Sequence, residues 1–304
     1  MTTLVTGGKG FVGRHLVNHL VEQGEAVVSY NRDFAVDTRP SVTTVQGELF
    51  DIPVLVKALT DNRVDKIIHT AGMSHPGVSV DLPLTTIAAN IDGTAAVFEA
   101  ARMAGVRRIV NFSSECAYGN LDETVLVQED AKPTPTTPYG VTKVAGELLG
   151  NVYNNLYGTE IVSLRVTEVY GPGLWMPSLL GDLLNAALSG SPFTLASGGD
   201  HKFQFVYVQD VAAAAYLASV AADLTQPVYH VSGGTQITVA ETADTIRTIF
   251  PEAKFEIGPG HIEKWDRQGK FDLSASERDL GYRPAWSLAD GLAASVQWIQ
   301  AQGG

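Results

Sequence analysis

Leu4-Val5-Thr6-Gly7-Gly8-Lys9-Gly10-Phe11-Val12-Gly13 is the stretch on which the reading of this chain turns. A short, largely apolar run, Thr3 to Thr6, ends in a cluster of glycines, and from Phe11 onward apolar residues recur at Val12, Leu16, Leu20 and Val21. That spacing is helical, so a buried strand, a glycine turn and a helix follow one another. Glycines at 7, 10 and 13 have separate tasks in such a turn: the first allows the tight bend, the second lets a diphosphate approach the backbone, and the third lets helix and strand pack closely. The helix N-terminus adds free N–H groups and a partial positive charge. On its own the fingerprint fits dinucleotide binding and an ordinary strand-to-helix turn equally well.

Working outward, the first half keeps alternating. Strand-like runs at 25–30, 42–46, 66–70, 108–112 and 160–166 are separated by helical patterns at 11–23, 52–60, 84–104 and 138–157. Short apolar strands alternating with helices predict an α/β fold with a doubly wound parallel sheet covered on both faces, the Rossmann type. Gly93, inside the 84–104 helix, costs about 1 kcal/mol against alanine and so predicts a close approach there. After Gly171-Pro172-Gly173 the alternation is lost. Helices are expected at 177–190, 210–221, 238–250 and 288–300, with strands at 203–208, 229–232 and 254–256. The expected division is residues 1–170 plus about 205–232 as the dinucleotide-binding part, and 171–204 plus 233–304 as a smaller, discontinuous C-terminal substrate lobe.

Composition narrows the function classes. The 304 residues are 45% hydrophobic and 18% charged, which suits a soluble globular protein. A net charge of −12 argues against nucleic acid or an anionic membrane as partner. One cysteine, Cys116, leaves no intrachain disulfide and fits a reducing compartment. The glycine-rich structure beginning at residue 7 leaves no room for a signal peptide, and the apolar stretch 211–222 is too short to span a bilayer. The expectation is a cytoplasmic protein.

Three positions can carry chemistry. Tyr139 and Lys143 are four residues apart on one helix face, after prolines at 133, 135 and 138. An ammonium there, with the positive helix end, predicts a lowered tyrosine pKa and a tyrosinate able to act as a base on an alcohol. Alone, such a pair is also what a surface tyrosine and a solvated lysine look like. Ser113 and Ser114 sit just past the fifth strand, at the carboxyl edge where ligands bind in open α/β sheets, and His69-Thr70-Ala71-Gly72 puts small residues past the fourth.

With these motifs the chain resembles the extended short-chain dehydrogenase/reductases, the NAD-dependent epimerase/dehydratase family, and within it the nucleotide-sugar 4-epimerases. The resemblance runs from Thr6-Gly7-Gly8-Lys9-Gly10-Phe11-Val12-Gly13 through Gly47-Glu48-Leu49, His69-Thr70-Ala71-Gly72, Asn90-Ile91-Asp92-Gly93-Thr94 and Ser113-Ser114-Glu115-Cys116-Ala117-Tyr118-Gly119. It continues through Tyr139…Lys143, Arg165…Tyr170-Gly171-Pro172-Gly173 and Phe205-Val206-Tyr207-Val208-Gln209-Asp210-Val211 to Leu280-Gly281-Tyr282-Arg283-Pro284. It implies Tyr139 as acid/base, Lys143 on the nicotinamide ribose, and Ser114 as the hydroxyl that polarises substrate. Gly7, Gly10, Phe11, Val12, Gly13, Asn31, Arg32, Glu48, Leu49, Ala71, Gly72 and Asn90 join Tyr139 and Lys143 as the implied cofactor set. It also implies a homodimer through the helices at 84–104 and 138–157.

The departures shape the rest. Where relatives that prefer NAD place an acid after the second strand, this chain has neutral Asn31 and then Arg32, which can pair with a 2′-phosphate. The cofactor is therefore NADP or NAD, with NADP slightly favoured, because Asp33 could restore NAD preference. Sugar dehydratases of the family carry Asp-Glu after the hydroxyl residue. Here the positions are Glu115 and Cys116, which disfavours 4,6-dehydration, and Cys116 is expected to be a buried small side chain. No arginine precedes Phe205, so Lys202 or Arg267 would have to serve a diphosphate, and Glu168 adds negative charge. Ser74, His75, Glu115, Cys116 and Arg267 are the candidate substrate contacts, and no metal site is expected.

The expected function is hydride transfer at a secondary alcohol of a sugar or nucleotide sugar, as an epimerase or a dehydrogenase/reductase. The runner-up substrate is a free sugar, sugar acid or other small hydroxy compound. A non-catalytic dinucleotide-binding sensor is the alternative of another class.

Overall fold

The computed structural model describes residues 1–33 and 37–302. Strands β1 (Thr2–Thr6), β2 (Ala26–Asn31), β3 (Val42–Gln46), β4 (Lys66–His69), β5 (Arg108–Ser114), β6 (Glu160–Val166) and β7 (Val228–Val231) form one parallel sheet in the order 7-6-5-4-1-2-3. The order reverses between β1 and β4, which places the ligand crevice at the carboxyl ends of those two strands.

Alternation of side chains along each strand builds both layers. Leu4, Val28, Ile67, Ile109 and Ile161 point to one face, against Leu55, Leu59, Val97 and Phe98. Their neighbours Val5, Val27, Ile68, Val110 and Val162 point to the other, against Leu16, Leu20, Val211 and Ala215. Helices Phe11–Glu22 and Val208–Val220 therefore cover one face, and Ile52–Asp61 and Gly93–Ala104 cover the opposite one.

The helix expected to be continuous over 84–104 is interrupted. Pro83–Ile87 leads into a wider π turn, Ala88–Asp92, before Gly93–Ala104 resumes the α geometry. The bulge carries Asn90, whose amide bridges two segments described below, and inserted turns of this kind are common at functional sites. A Cβ on Gly93 would lie 3.0 Å from Leu49 Cδ1, so the close approach predicted at Gly93 is to Leu49.

A third apolar cluster gathers Leu180, Leu183, Phe205, Tyr207, Val239, Ile246 and Leu292. The strand expected over 203–208 is broken in two. Lys202–Phe203 runs antiparallel to Ile237–Thr238, while Phe205–Tyr207 runs parallel to Glu168–Tyr170. Buried Gln204 lies between them and turns its amide to another partner, donating to Gly269 O (3.0 Å) and accepting from Phe271 N (2.9 Å). The strand expected at 254–256 is Phe255–Ile257, parallel to Phe193–Leu195. No helix among the described residues is long and apolar enough to cross a membrane.

Candidate active site

The glycine turn closes on itself. Gly7 N donates to Tyr30 O and Gly10 N to Gly7 O, both at 2.8 Å. Gly7 has φ +70°, a left-handed value glycine adopts cheaply. A Cβ on Gly13 would stand 2.0 Å from Gly7 O, so no larger residue fits between turn and helix. Gly10 caps the helix without a side chain, leaving the first helical N–H groups to meet an anion. Phe11 is buried and Val12 half-buried behind them.

Asn31 is tied into the turn at the end of β2. Its Oδ1 accepts from Lys9 N and its Nδ2 donates to Ser29 Oγ, each at 2.9 Å, so the buried amide braces the glycine turn. Arg32 beside it is exposed, and its side chain makes no hydrogen bond among the described residues, while Lys9 Nζ donates to Asp33 O at 2.6 Å. Tyr30 Oη donates to Glu48 O at 2.8 Å and so fixes the backbone of the Glu48–Leu49 pair.

Past β4, Asn90 holds the loop that contains Ala71 and Gly72. It accepts from Met73 N (2.8 Å), donates to Met73 O (2.9 Å) and donates to Thr142 Oγ1 (3.0 Å). A small cavity lined by Ala71, Asn90, Thr142 and Lys143 lies here. His69 lies between Thr6 Oγ1 (2.7 Å) and Thr94 Oγ1 (3.1 Å), and burial drives its pKa down to about 3, so it is a neutral brace.

Ser114, Tyr139 and Lys143 come together. Thr137 accepts from Gly140 N at 3.1 Å and Pro138 opens the helix, which sets the first turn so that Tyr139 and Lys143 face β5. Lys143 Nζ donates to Phe112 O at 2.7 Å and sits 5.3 Å from the centre of the Tyr139 ring. Ser114 Oγ accepts from Cys116 N at 3.2 Å.

The electrostatics correct the expectation for Tyr139. Its pKa is raised, first by burial and then by Cys116, Glu115 and Glu168, while the Ser114 hydroxyl pulls the other way. Desolvation is the largest influence on the phenol, and it favours the neutral form. Burial also lowers Lys143 to about 8, against the opposing pull of Cys116 and Glu147.

Of the substrate candidates, Glu115 and Cys116 flank this centre in the short turn after Ser114. Burial, and then the charge of Glu168, raises the Glu115 pKa; burial alone lifts Glu168 to about 7. The Cys116 thiol is raised by burial and then by Glu115, the behaviour of an inert side chain. Ser74 and His75 reach elsewhere: Ser74 Oγ lies 3.5 Å from Met176 Sδ, and His75 Nε2 3.3 Å from Pro177 O. Arg267 lines a groove with Asn120 to Thr124, while its neighbour Gln268 donates to Glu115 O at 3.3 Å. Among the described residues no group of three or more His, Cys, Asp or Glu side chains could hold a metal.

Two supports were missed in the sequence. Thr142 is the partner of Asn90, and Glu147 forms a buried pair with Arg165 (2.7 Å) while accepting from Ser113 Oγ (2.5 Å). The available signal was an acid at Lys143 plus four, on the inward face of the helix.

Comparison with known proteins gives a consistent result. The model of the NAD dependent epimerase/dehydratase family matches residues 3–232. A dTDP-glucose 4,6-dehydratase of Streptomyces antibioticus is 26% identical over 99% of this chain and 92% of its own length. A UDP-glucose 4-epimerase of Mycolicibacterium smegmatis is 28% identical, covering 99% of both chains. The solved structure of MoeE5 in complex with UDP-glucuronic acid and NAD superposes with a TM-score of 0.88 at 29% identity, over 99% of this chain and 100% of that one.

Proposed function

The chain belongs to the NAD dependent epimerase/dehydratase family, and from that premise we propose that Ser114, Tyr139 and Lys143 carry its catalysis at a secondary hydroxyl of a sugar or nucleotide sugar. The enzyme is of the extended short-chain dehydrogenase/reductase type, with the sheet and glycine turn of a dinucleotide binder. The observation that carries the assignment of roles is the convergence of the Ser114 hydroxyl, the buried Tyr139 phenol and the Lys143 ammonium at the carboxyl end of β5.

The residues present fit a dinucleotide: the space where a Gly13 Cβ would sit is what keeps the turn tight, and the helix start has no side-chain cap. Gly7 to Gly13 would hold its diphosphate, Glu48 and Leu49 its adenine end, and Ala71, Gly72 and Asn90 its inner face. When bound it supplies the acceptor and donor for hydride. Tyr139 takes the proton from the substrate hydroxyl and returns it to the product. Ser114 donates to the reacting oxygen, and Lys143 compensates charge as it develops there. A bound substrate and positively charged nicotinamide ring would favour the tyrosinate that burial opposes in the free chain.

MoeE5 is seen with NAD. For this chain we favour NADP slightly, on exposed Arg32 and on the absence of a carboxylate at Asn31. Arg32→Ala is expected to weaken NADP binding about tenfold and leave NAD unchanged, the size of one charge-assisted contact. Titration of both cofactors reads this, and an unchanged NADP affinity would remove the preference.

We further propose a homodimer through residues 84–104 and 138–157. Leu84, Ile87, Met103, Val141, Leu148, Val152 and Leu156 are exposed there, a density of apolar side chains that marks an interface. The double substitution Leu148→Glu and Val152→Glu is expected to give a folded monomer by light scattering. A wild type already monomeric at micromolar concentration would sink the dimer. The cluster around Leu183, Val239 and Ile246 is proposed as the core of the substrate lobe, with Tyr170, Phe205 and Tyr207 joining it from the part assigned to the dinucleotide, and one cysteine suits a cytoplasmic location.

Glu115 and Glu168 beside the site, and the lack of an arginine just before Phe205, favour a second reading in which the substrate lacks a diphosphate. Incubation with NAD or NADP and a panel of nucleotide sugars, free sugars and hydroxy acids tests both. Isomer interconversion without net cofactor reduction identifies an epimerase, and net reduction a dehydrogenase. Turnover confined to free sugars or hydroxy acids would favour the second reading. Absence of any turnover together with tight dinucleotide binding would favour a sensor.

A further inference from the structure

Tyr118 closes the short turn Glu115–Ala117 that follows Ser114, and its side chain is buried. Its backbone N–H donates to Glu115 O at 2.9 Å, and inside the same turn Cys116 N donates to Ser114 Oγ at 3.2 Å. Whatever fixes the Tyr118 side chain therefore fixes the far end of the turn that carries the serine. The Tyr118 hydroxyl meets His230 Nε2 at 2.5 Å and Gln128 O at 3.2 Å. His230 stands on β7, the strand at one edge of the sheet, and is also buried. Its other ring nitrogen, Nδ1, is 2.9 Å from Asp272 O, whereas Glu129 Oε1 at 3.7 Å is too far for a hydrogen bond. Phe271 stacks on the imidazole, with ring centres 4.8 Å apart.

These contacts leave one arrangement of protons. A carbonyl oxygen only accepts, so Nδ1 carries the hydrogen that goes to Asp272 O. Burial holds the His230 pKa down at about 4, so the ring is neutral near pH 7 and Nε2 keeps a bare lone pair. The Tyr118 hydroxyl has a single hydrogen. Sent to Gln128 O, it would leave two lone pairs facing each other at 2.5 Å, so it goes to Nε2. Volume alone does not call for a histidine here. Phenylalanine would fill such a space, but it neither accepts from Tyr118 nor donates to Asp272 O. The segment that holds the imidazole also reaches the turn directly, because Gln268 Nε2 donates to Glu115 O at 3.3 Å.

We propose that His230, neutral and protonated on Nδ1, is a positioning residue for Ser114: by accepting the Tyr118 hydroxyl it fixes the turn that aims the serine at the reacting oxygen. This rests on the catalytic role proposed for Ser114. It gives a task to a histidine that lies outside the Ser114, Tyr139 and Lys143 set and acts on it through one tyrosine. Buried polar chains of this kind hold one geometry only while every member is satisfied, and here Tyr118, His230 and Asp272 O satisfy one another in sequence.

Cys116 is the only cysteine in the chain, so isotope-labelled cysteine gives a single amide resonance, that of the N–H donated to Ser114 Oγ. It is read by NMR on the full chain without substrate, with Ser114→Ala marking its position when the bond is absent. Tyr118→Phe and His230→Phe are each expected to move the resonance toward that position and to raise its amide exchange on the order of tenfold, the factor for about one net hydrogen bond. The two together should move it no further than either alone. His230→Gln, whose amide oxygen can accept from Tyr118, should restore most of the wild-type signal, and the shorter His230→Asn should not. Nitrogen shifts of the wild-type imidazole at neutral pH should show the proton on Nδ1 alone. A histidine that only stabilises the fold would lower resistance to urea and leave the Cys116 resonance in place, which overturns the proposal. Additive shifts in the double variant, a His230→Gln shift as large as that of His230→Phe, or a proton on Nε2 overturn it as well. Should His230→Phe not fold, Tyr118→Phe, which lacks one hydroxyl only, carries the same expectation. Wild-type turnover of the sugar and hydroxy-acid panel by Ser114→Ala would instead overturn the catalytic reading of the serine, and is told apart because the resonance is read without substrate.

Discussion

Tyr139→Phe is expected to lower kcat by about 10²- to 10⁴-fold while cofactor affinity stays within about twofold of wild type, the range for loss of a positioned proton carrier. The substitution removes one hydroxyl and keeps the ring. Tyr139 is 6% exposed, and its backbone N–H donates to Ser79 Oγ at 3.1 Å, so the ring stays wedged between helix and strand in the variant. Lys143 keeps its bond to Phe112 O, so the charge beside the site also remains. What is lost is the group that accepts the substrate proton, and Ser114 cannot replace it because a serine hydroxyl is a far weaker acid. Single-turnover rates and cofactor titration separate the two quantities. Retention of kcat would move the acid/base role away from Tyr139, and Glu168, raised by burial to about 7, would be the next group to examine.

The parts of this chain that were legible are the ones determined locally. Gly7, Gly10 and Gly13 announce the turn because only glycine fits there, and the alternation of short apolar runs with helical spacing announces the sheet. Boundaries failed where one side chain outvoted the local pattern. Buried Gln204 splits the expected 203–208 strand by serving Gly269 and Phe271 instead of its neighbours, and Asn90 opens a π turn in a helix that periodicity alone reads as continuous. In the site, the position of Asn31 at the end of β2 points to the cofactor ribose, but sequence alone does not show that its amide also serves Lys9 N and Ser29 Oγ, contacts that exist only once the turn has folded back on β2. The tyrosine pKa went the wrong way because spacing predicts which charges are near but not how deeply the phenol is desolvated.

Glu147→Leu is expected to destabilise the protein by about 3–5 kcal/mol, the cost of leaving one charge of a buried pair alone. Glu147 and Arg165 are 5% and 4% exposed, and the contact is double, with Nη2 to Oε2 at 2.7 Å and Nε to Oε1 at 2.8 Å. Arg165 has other neighbours, Glu129 O at 2.9 Å and the face of Tyr118 at 4.5 Å, but neither carries a full negative charge. Leucine would also strip Ser113 Oγ of its acceptor. Because the pair joins the Tyr139–Lys143 helix to β6, its loss should loosen the catalytic helix, raising amide exchange there before the rest of the sheet opens. Urea unfolding measures the first effect and hydrogen exchange the second. The double variant Glu147→Leu with Arg165→Met should regain most of the stability, since an apolar pair of similar volume removes the unpaired charge. A single-variant loss below about 1 kcal/mol, within the range of exposed pairs, would mean that water reaches Arg165 and that the helix is held to the sheet by packing alone.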